Sequence, residues 1–160
     1  MNIRTATLKD LDQITEIEAA CFPQSEAATR ESLKSRITTF ADGFYVIEIN
    51  DEIVGFINGA AFNSMTIDDE YFSDMNYHSE SGITLAVFGL DVHPNHQHNG
   101  YARRLMNTFI DYAKTSNRQY VILTCKEHLL HYYDTFNFKN NGLSESSHGG
   151  AEWYDMTLTL

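Results

Sequence analysis

Two chemistries compete for the stretch HPNHQHNGYARRLM, residues 93–106. His93, His96 and His98 lie within six residues, a density that suits a metal ion if a carboxylate or thiolate converges with them. The same stretch carries Gln97, Gly100 and Ala102 in the pattern Gln-x-x-Gly-x-Ala, between an apolar run and a helix-like apolar period. A helix start leaves its first N–H groups unpaired, and the aligned peptide dipoles draw anions to that end. Small residues there let a diphosphate approach the backbone. No second metal motif occurs elsewhere, and Pro94 interrupts the strand that would bring Asp91 to the histidines, so no metal is expected.

These residues need a scaffold, and the apolar periods describe one. IRTATLKD reads as a short strand ending at Asp10, which is placed to cap a helix over LDQITEIEAACF that Pro23 stops. Residues 25–40 read as a second helix carrying Leu33, Ile37 and Phe40. FYVIEIN and EIVGFINGAAF form a hairpin through Asn50-Asp51. A long acidic and aromatic stretch, residues 63–82, has the length of a functional loop. ITLAVFGLDVHP is apolar enough to be a central strand. A helix then runs from about residue 100 to 115, with Tyr101, Leu105, Met106, Phe109, Tyr112 and Ala113 as its apolar stripe. YVILTC is a buried strand, LLHYYDTF a short helix, and FKNNGL with EWYDMTLTL a closing strand pair. No repeat or linker divides this order, so 160 residues are expected to form one mixed α/β domain, 1–160.

Composition narrows the partners. A net charge of −11 argues against nucleic acid and anionic membranes. No apolar run approaches the ~20 residues that span a bilayer. The N-terminal residues lack the apolar core of a signal peptide, which makes the cytoplasm the expected location. Cys21 and Cys125, far apart in sequence, read as reduced and buried. Between Ile37 and Ala102 there are ten acids and no Lys or Arg, and basic residues resume only at Arg103 and Arg104. Such a division suits two ligands of opposite charge, or simply an acidic surface that aids solubility.

Val92-His93-Pro94 followed by Gln97-His98-Asn99-Gly100-Tyr101-Ala102 resembles the central signature of the GCN5-related N-acetyltransferases, at that family's spacing. The element order is similar over nearly the whole chain. The resemblance implies a mostly antiparallel central sheet flanked by helices, with acetyl-CoA in the splay between the central strands. It implies that the backbone of Gln97, His98, Asn99, Gly100, Tyr101 and Ala102 holds the pyrophosphate, with Arg103 adding charge. Leu90, Asp91 and Val92 would pair with the pantetheine arm, and a backbone N–H near Asp91 or Val92 would polarise the thioester carbonyl.

CKEHLLHYYDTFNF, residues 125–138, is similar to the matching segment of the arylalkylamine N-acetyltransferases, and its motif tyrosine falls on Tyr133. That likeness makes Tyr133 the general acid for the leaving thiolate, since a phenol with a pKa near ~10 is protonated at neutral pH. Two histidines that relay protons in vertebrate-type members are replaced by Ala86 and Phe88. Glu26 falls where some insect-type relatives carry a catalytic glutamate, which makes it a candidate general base; Asp91, Glu127 and His128 are others. Phe22, Phe62, Tyr71, Phe72 and Phe88 are candidate aromatic walls for the acceptor, and Asp68, Asp69 and Glu70 candidate partners for a cation. The expectation is direct acetyl transfer from acetyl-CoA to a small cationic amine, by a monomer or homodimer. A protein or peptide acetyltransferase and a non-catalytic acyl-CoA-binding domain are the alternatives.

Overall fold

The computed structural model describes residues 1–160. One seven-stranded sheet runs through it in the order β1-β2-β3-β4-β5-β7-β6. The strands are β1 (Asn2–Thr5), β2 (Phe44–Ile49), β3 (Glu52–Phe62), β4 (Thr84–Val92), β5 (Tyr120–Cys125), β6 (Lys139–Leu143) and β7 (Tyr154–Thr159). The helices are α1 (Leu11–Cys21), α2 (Arg30–Thr39), α3 (Tyr101–Thr115) and the short α4 (Leu130–Asp134). The order expected from the apolar periods is the observed one. No helix is long and apolar enough to cross a membrane.

Two apolar layers hold the helices to the sheet. On one face Leu11, Ile14 and Ile17 of α1 and Leu33 and Ile37 of α2 meet Phe44, Val46, Ile53 and Phe56 of β2 and β3. The larger layer joins Leu105, Met106, Phe109 and Ala113 of α3 to Ile57, Leu85, Val121 and Ile122. β3 is buried at every residue but its first, as a strand covered on both faces must be. The β2–β3 hairpin turns at Asn50 and Asp51, both with positive φ (52° and 65°), the backbone that a two-residue turn of right-handed twist requires.

Two helix starts differ from the sequence expectation. α2 starts at Arg30, not at residue 25, because Thr29 takes an extended conformation and its Oγ1 accepts from Ser32 N. The preceding segment is instead a turn in which Pro23 O accepts from Glu26 N and Ala27 N. Asp10 does not cap α1 with its side chain: it accepts from Thr7 N and binds the Arg4 guanidinium at 2.8 and 2.9 Å.

β4 and β5 are parallel and pair only at Thr84–Tyr120, Leu85–Val121 and Ala86–Ile122. Beyond Ala86 the two strands diverge, so β4 keeps β3 as a neighbour on one side and faces a gap on the other. Phe88 makes the divergence sharper: Val87 pairs with Gly59 and Gly89 with Asn58, which leaves Phe88 as a bulge. A Cβ at Gly59 would lie 1.8 Å from Ala86 O, so only glycine lets β3 approach the bulged strand this closely.

Candidate active site

The gap between β4 and β5 opens into a cavity of about 600 Å³. At one end lies the turn that follows β4. Pro94–His96 form a single 3₁₀ turn, His98 and Gly100 take positive φ (66° and 79°), and α3 begins at Tyr101. A Cβ at Gly100 would meet nothing within 4 Å, so glycine is needed there for its backbone angle and not for room. The Gln97 amide donates to Val92 O at 3.0 Å and Asn99 Nδ2 to His96 O at 3.0 Å, which hold the turn against the strand end. The backbone N–H groups of residues 97–103 have no acceptor within the chain. Consecutive unpaired N–H groups at a helix start, with left-handed residues among them, make a concavity that fits a diphosphate. The free edge of β4, from Val87 to Val92, fits an extended amide-bearing arm.

Arg103 is not part of that concavity. Its guanidinium donates to Thr135 Oγ1 at 2.8 Å and lies 4.3 Å from the Phe136 ring, joining α3 to the segment after α4. The three histidines do not converge: the rings of His93 and His96 are 6.1 Å apart, and no group of three or more His, Cys, Asp or Glu side chains is placed to hold a metal.

Tyr133 of α4 and Cys125 of β5 line the opposite wall. Burial pushes the Tyr133 phenol well up, with the nearby Cys125, Tyr132 and Asp91 adding to the shift. Its ring packs edge-on to Tyr132 and Phe138. This is a phenol held neutral in the wall of the cavity. Burial likewise pushes the Cys125 thiol up to about 11.

The other end is built by side chains. Phe22, Phe72, Phe88, His148 and Trp153 supply an aromatic lining. The β6–β7 loop folds over it: His148 Nε2 lies 2.9 Å from Glu26 O, the His148 ring stacks on Phe72 at 5.3 Å, and Trp153 Nε1 donates to His148 O. Asp69 accepts from Ser146 Oγ and Ser147 N, so it ties this loop to the rim. Of the expected acceptor walls, Phe22, Phe72 and Phe88 line the cavity, while Phe62 and Tyr71 stack on each other at 4.3 Å and do not. The reason is register: Phe62 ends β3 and turns into the core.

Glu26 does reach the cavity, yet its Oε2 bonds Lys126 Nζ at 2.9 Å, and the ammonium sits 5.6 Å from the Trp153 ring. Beneath the floor Asp91, one of the candidate bases, meets Glu18 and Arg36, which the sequence did not single out. Asp91 of β4 is 1 % exposed, Glu18 of α1 is 6 % and Arg36 of α2 is 4 %. Arg36 donates to Asn58 Oδ1 at 2.9 Å and Phe72 O at 2.6 Å and lies 4.8 Å from the Phe88 ring; burial lowers it to about 10. Burial first, then the Glu18 carboxyl, push the Asp91 carboxyl well above its ordinary range. Cys21, beside them, is raised to about 12 by burial and by both carboxyls, and its Sγ donates to Val92 O.

Known proteins place this geometry. Residues 11–138 match the family described as "Acetyltransferase (GNAT) family". A Bacillus subtilis protein named "Probable hydrolase YhcX" is 28% identical over 130 residues, which cover 77% of this chain and 25% of that one. "Uncharacterized N-acetyltransferase YkwB" of the same organism is 26% identical over 122 residues, 69% of this chain and 54% of that one. The chain thus spans a quarter of one curated relative and about half of the other. Among solved structures, the GphF GNAT-like decarboxylase in complex with isobutyryl-CoA superposes with a TM-score of 0.83 at 18% identity, covering 99% of both chains. Other solved neighbours hold acetyl-CoA or coenzyme A. With four-fifths of its residues inside the match, the chain belongs to the acetyltransferase (GNAT) family.

Proposed function

We propose that this protein transfers the acetyl group of acetyl-CoA directly to the primary amine of a small cationic acceptor bearing an apolar group. The observation that carries the reading is the meeting, in one cavity, of an unpaired backbone cradle, a buried phenol and an aromatic, acid-bearing pocket. The N–H groups of Gln97 to Ala102 bind the pyrophosphate, and the free edge of Leu90 to Val92 takes the pantetheine arm. Tyr133 acts as general acid: it gives its proton to the departing thiolate as the C–S bond breaks and regains one from the nitrogen as the amide forms. Phe22, Phe72, Phe88 and Trp153 enclose the acceptor's apolar part, and Asp69 at the rim attracts its charge.

Two alternatives fit less well. The β6–β7 loop, pinned to Glu26 and Asp69, covers the acceptor end, which favours a small amine over a peptide terminus. A phenol buried and kept neutral in the cavity wall favours an enzyme over a domain that only senses acyl-CoA. Turnover of acetyl-CoA, followed by thiol release, over arylalkylamines, polyamines, amino acids and peptides tests the reading. Arylalkylamines should give the highest kcat/KM. Tight CoA binding with no acetylated amine would favour the sensor, and turnover of peptides alone the protein acetyltransferase.

A further inference from the structure

Glu26 Oε1 is buried without a donor while its Oε2 pairs with Lys126, but in Asp91 and Glu18 together three carboxylate oxygens receive no N–H or O–H from the chain: both of Asp91 and Oε1 of Glu18. Only Glu18 Oε2 is bonded, by Ala28 N at 2.8 Å. Buried carboxylates left without donors are among the most costly arrangements in a folded protein. Arg36, the nearest cation, does not relieve them, because its terminal nitrogens go to Asn58 and Phe72 O. Two of them, Asp91 Oδ1 and Glu18 Oε1, also face one place. A Cβ added at Gly89 would lie 3.1 Å from Asp91 Oδ1, 3.3 Å from Asn58 Nδ2 and 3.9 Å from Glu18 Oε1. Gly89, Glu18 and Arg36 themselves line the cavity, so the space over Gly89 connects the carboxyls to the acceptor.

We infer that Asp91 and Glu18 form a carboxyl pair that accepts the proton of the acceptor's ammonium through the space over Gly89. The inference rests on the amine-acetylation reading and adds the base that it lacks. Glu26, the position suggested by resemblance, is already neutralised by Lys126. The groups facing the pair are Cys21 from α1, Arg36 from α2, Asn58 from β3 and, across the cavity, Tyr133 from α4. Cys21 and Tyr133 are held neutral by burial, so Arg36 is the only charge that offsets the pair. Like charges in a buried site make the pair a stronger base than a solvated carboxylate, which suits it to an alkylammonium.

The accounting closes. An N–H bond of the ammonium breaks and an O–H bond forms on the pair, directly or through one water, which leaves the two carboxyls sharing that proton. The neutral nitrogen attacks the thioester carbon as the C–S bond breaks. Its second proton replaces the one that Tyr133 gives to the thiolate, and the pair returns its proton to solvent.

The kcat/KM of the best amine, measured across neutral and alkaline pH in the parent protein, Asp91→Asn and Gly89→Ala, tests this. The parent should show a plateau between the pair's pKa and that of the amine. Asp91→Asn should fall about 100-fold at neutral pH and climb about tenfold per pH unit, because it must wait for free amine. Gly89→Ala, which fills the passage and keeps both carboxyls, should fall similarly while retaining the infrared band of a protonated buried carboxyl that Asp91→Asn loses. An Asp91→Asn protein that keeps the plateau, or a Gly89→Ala protein with parental kinetics, would overturn the pair as proton acceptor. A parent protein that acetylates no amine would overturn the reaction itself, and the pair's role with it.

Discussion

Between Gln97 and Arg103 the cavity offers seven backbone N–H groups, and the side chains around them are turned back onto the turn or toward α4. At the acceptor end the reverse holds: Glu18, Arg36, Phe72, Phe88 and Trp153 come from five separate segments, and side chains form the lining. On the proposed reading the first region meets something invariant, a diphosphate and an extended amide chain, for which regular backbone is sufficient. The second recognises something particular, and particular shapes need side chains. Function in this molecule is therefore divided between a contiguous element and a dispersed one.

Substitutions at the two ends should separate the two kinds of recognition. Tyr133→Phe should lower kcat about 100-fold, the usual worth of general acid catalysis, while CoA binding measured by calorimetry stays unchanged. Unchanged kcat would remove Tyr133 from the mechanism. Gly100→Ala forces an L side chain onto a φ of 79°, a strain of about 1 kcal/mol or more, and should weaken CoA binding by about tenfold with the acceptor KM preserved. Loss of acceptor affinity instead would break the division. Asp91→Asn should alter stability in a pH-dependent way. Because the folded protein raises this carboxyl above its unfolded pKa, Asp91 contributes stability at pH below ~4 that is lost as pH rises through its folded pKa. Urea unfolding of the asparagine protein should lack that decline. The smallest effect is expected from His98→Ala: if backbone alone forms the cradle, CoA affinity should change by less than about threefold, about 0.6 kcal/mol.

The same division explains what could be read in advance. The cradle was legible because its residues are neighbours at fixed spacing, and the strand and helix order because period and turn chemistry are local. The helix start at Thr29 was hidden by the absence of any break in composition after Pro23. The carboxyl pair was hidden because Glu18 and Asp91 meet across 73 positions of chain. A signal did exist. In α1 the stripe Leu11, Ile14, Glu18, Cys21 and in α2 the stripe Leu33, Arg36, Ile37, Phe40 each place a charge where helical spacing demands an apolar residue. Asp91 in LAVFGLDV and Asn58 in FINGAAF interrupt buried strands in the same manner. Charges at core positions mark chemistry when they come in sets that can find each other. The Arg103 guanidinium, beside the phosphate motif in sequence, packs on Phe136 in the fold.

The narrow junction of β4 and β5 has a mechanical consequence. Three residue pairs join the β1–β4 half of the sheet to the β5–β7–β6 half, and past Ala86 no backbone rung crosses. A ligand arm lying in the gap restores the missing rungs, so CoA is a staple as well as a substrate. Its binding energy should appear as cohesion: at a concentration 100 times its Kd, the gain in unfolding free energy is about 2.7 kcal/mol. Amide exchange should then slow in β7, a strand that pairs with β5 and β6 and borders no part of the gap, because the two halves can no longer open apart.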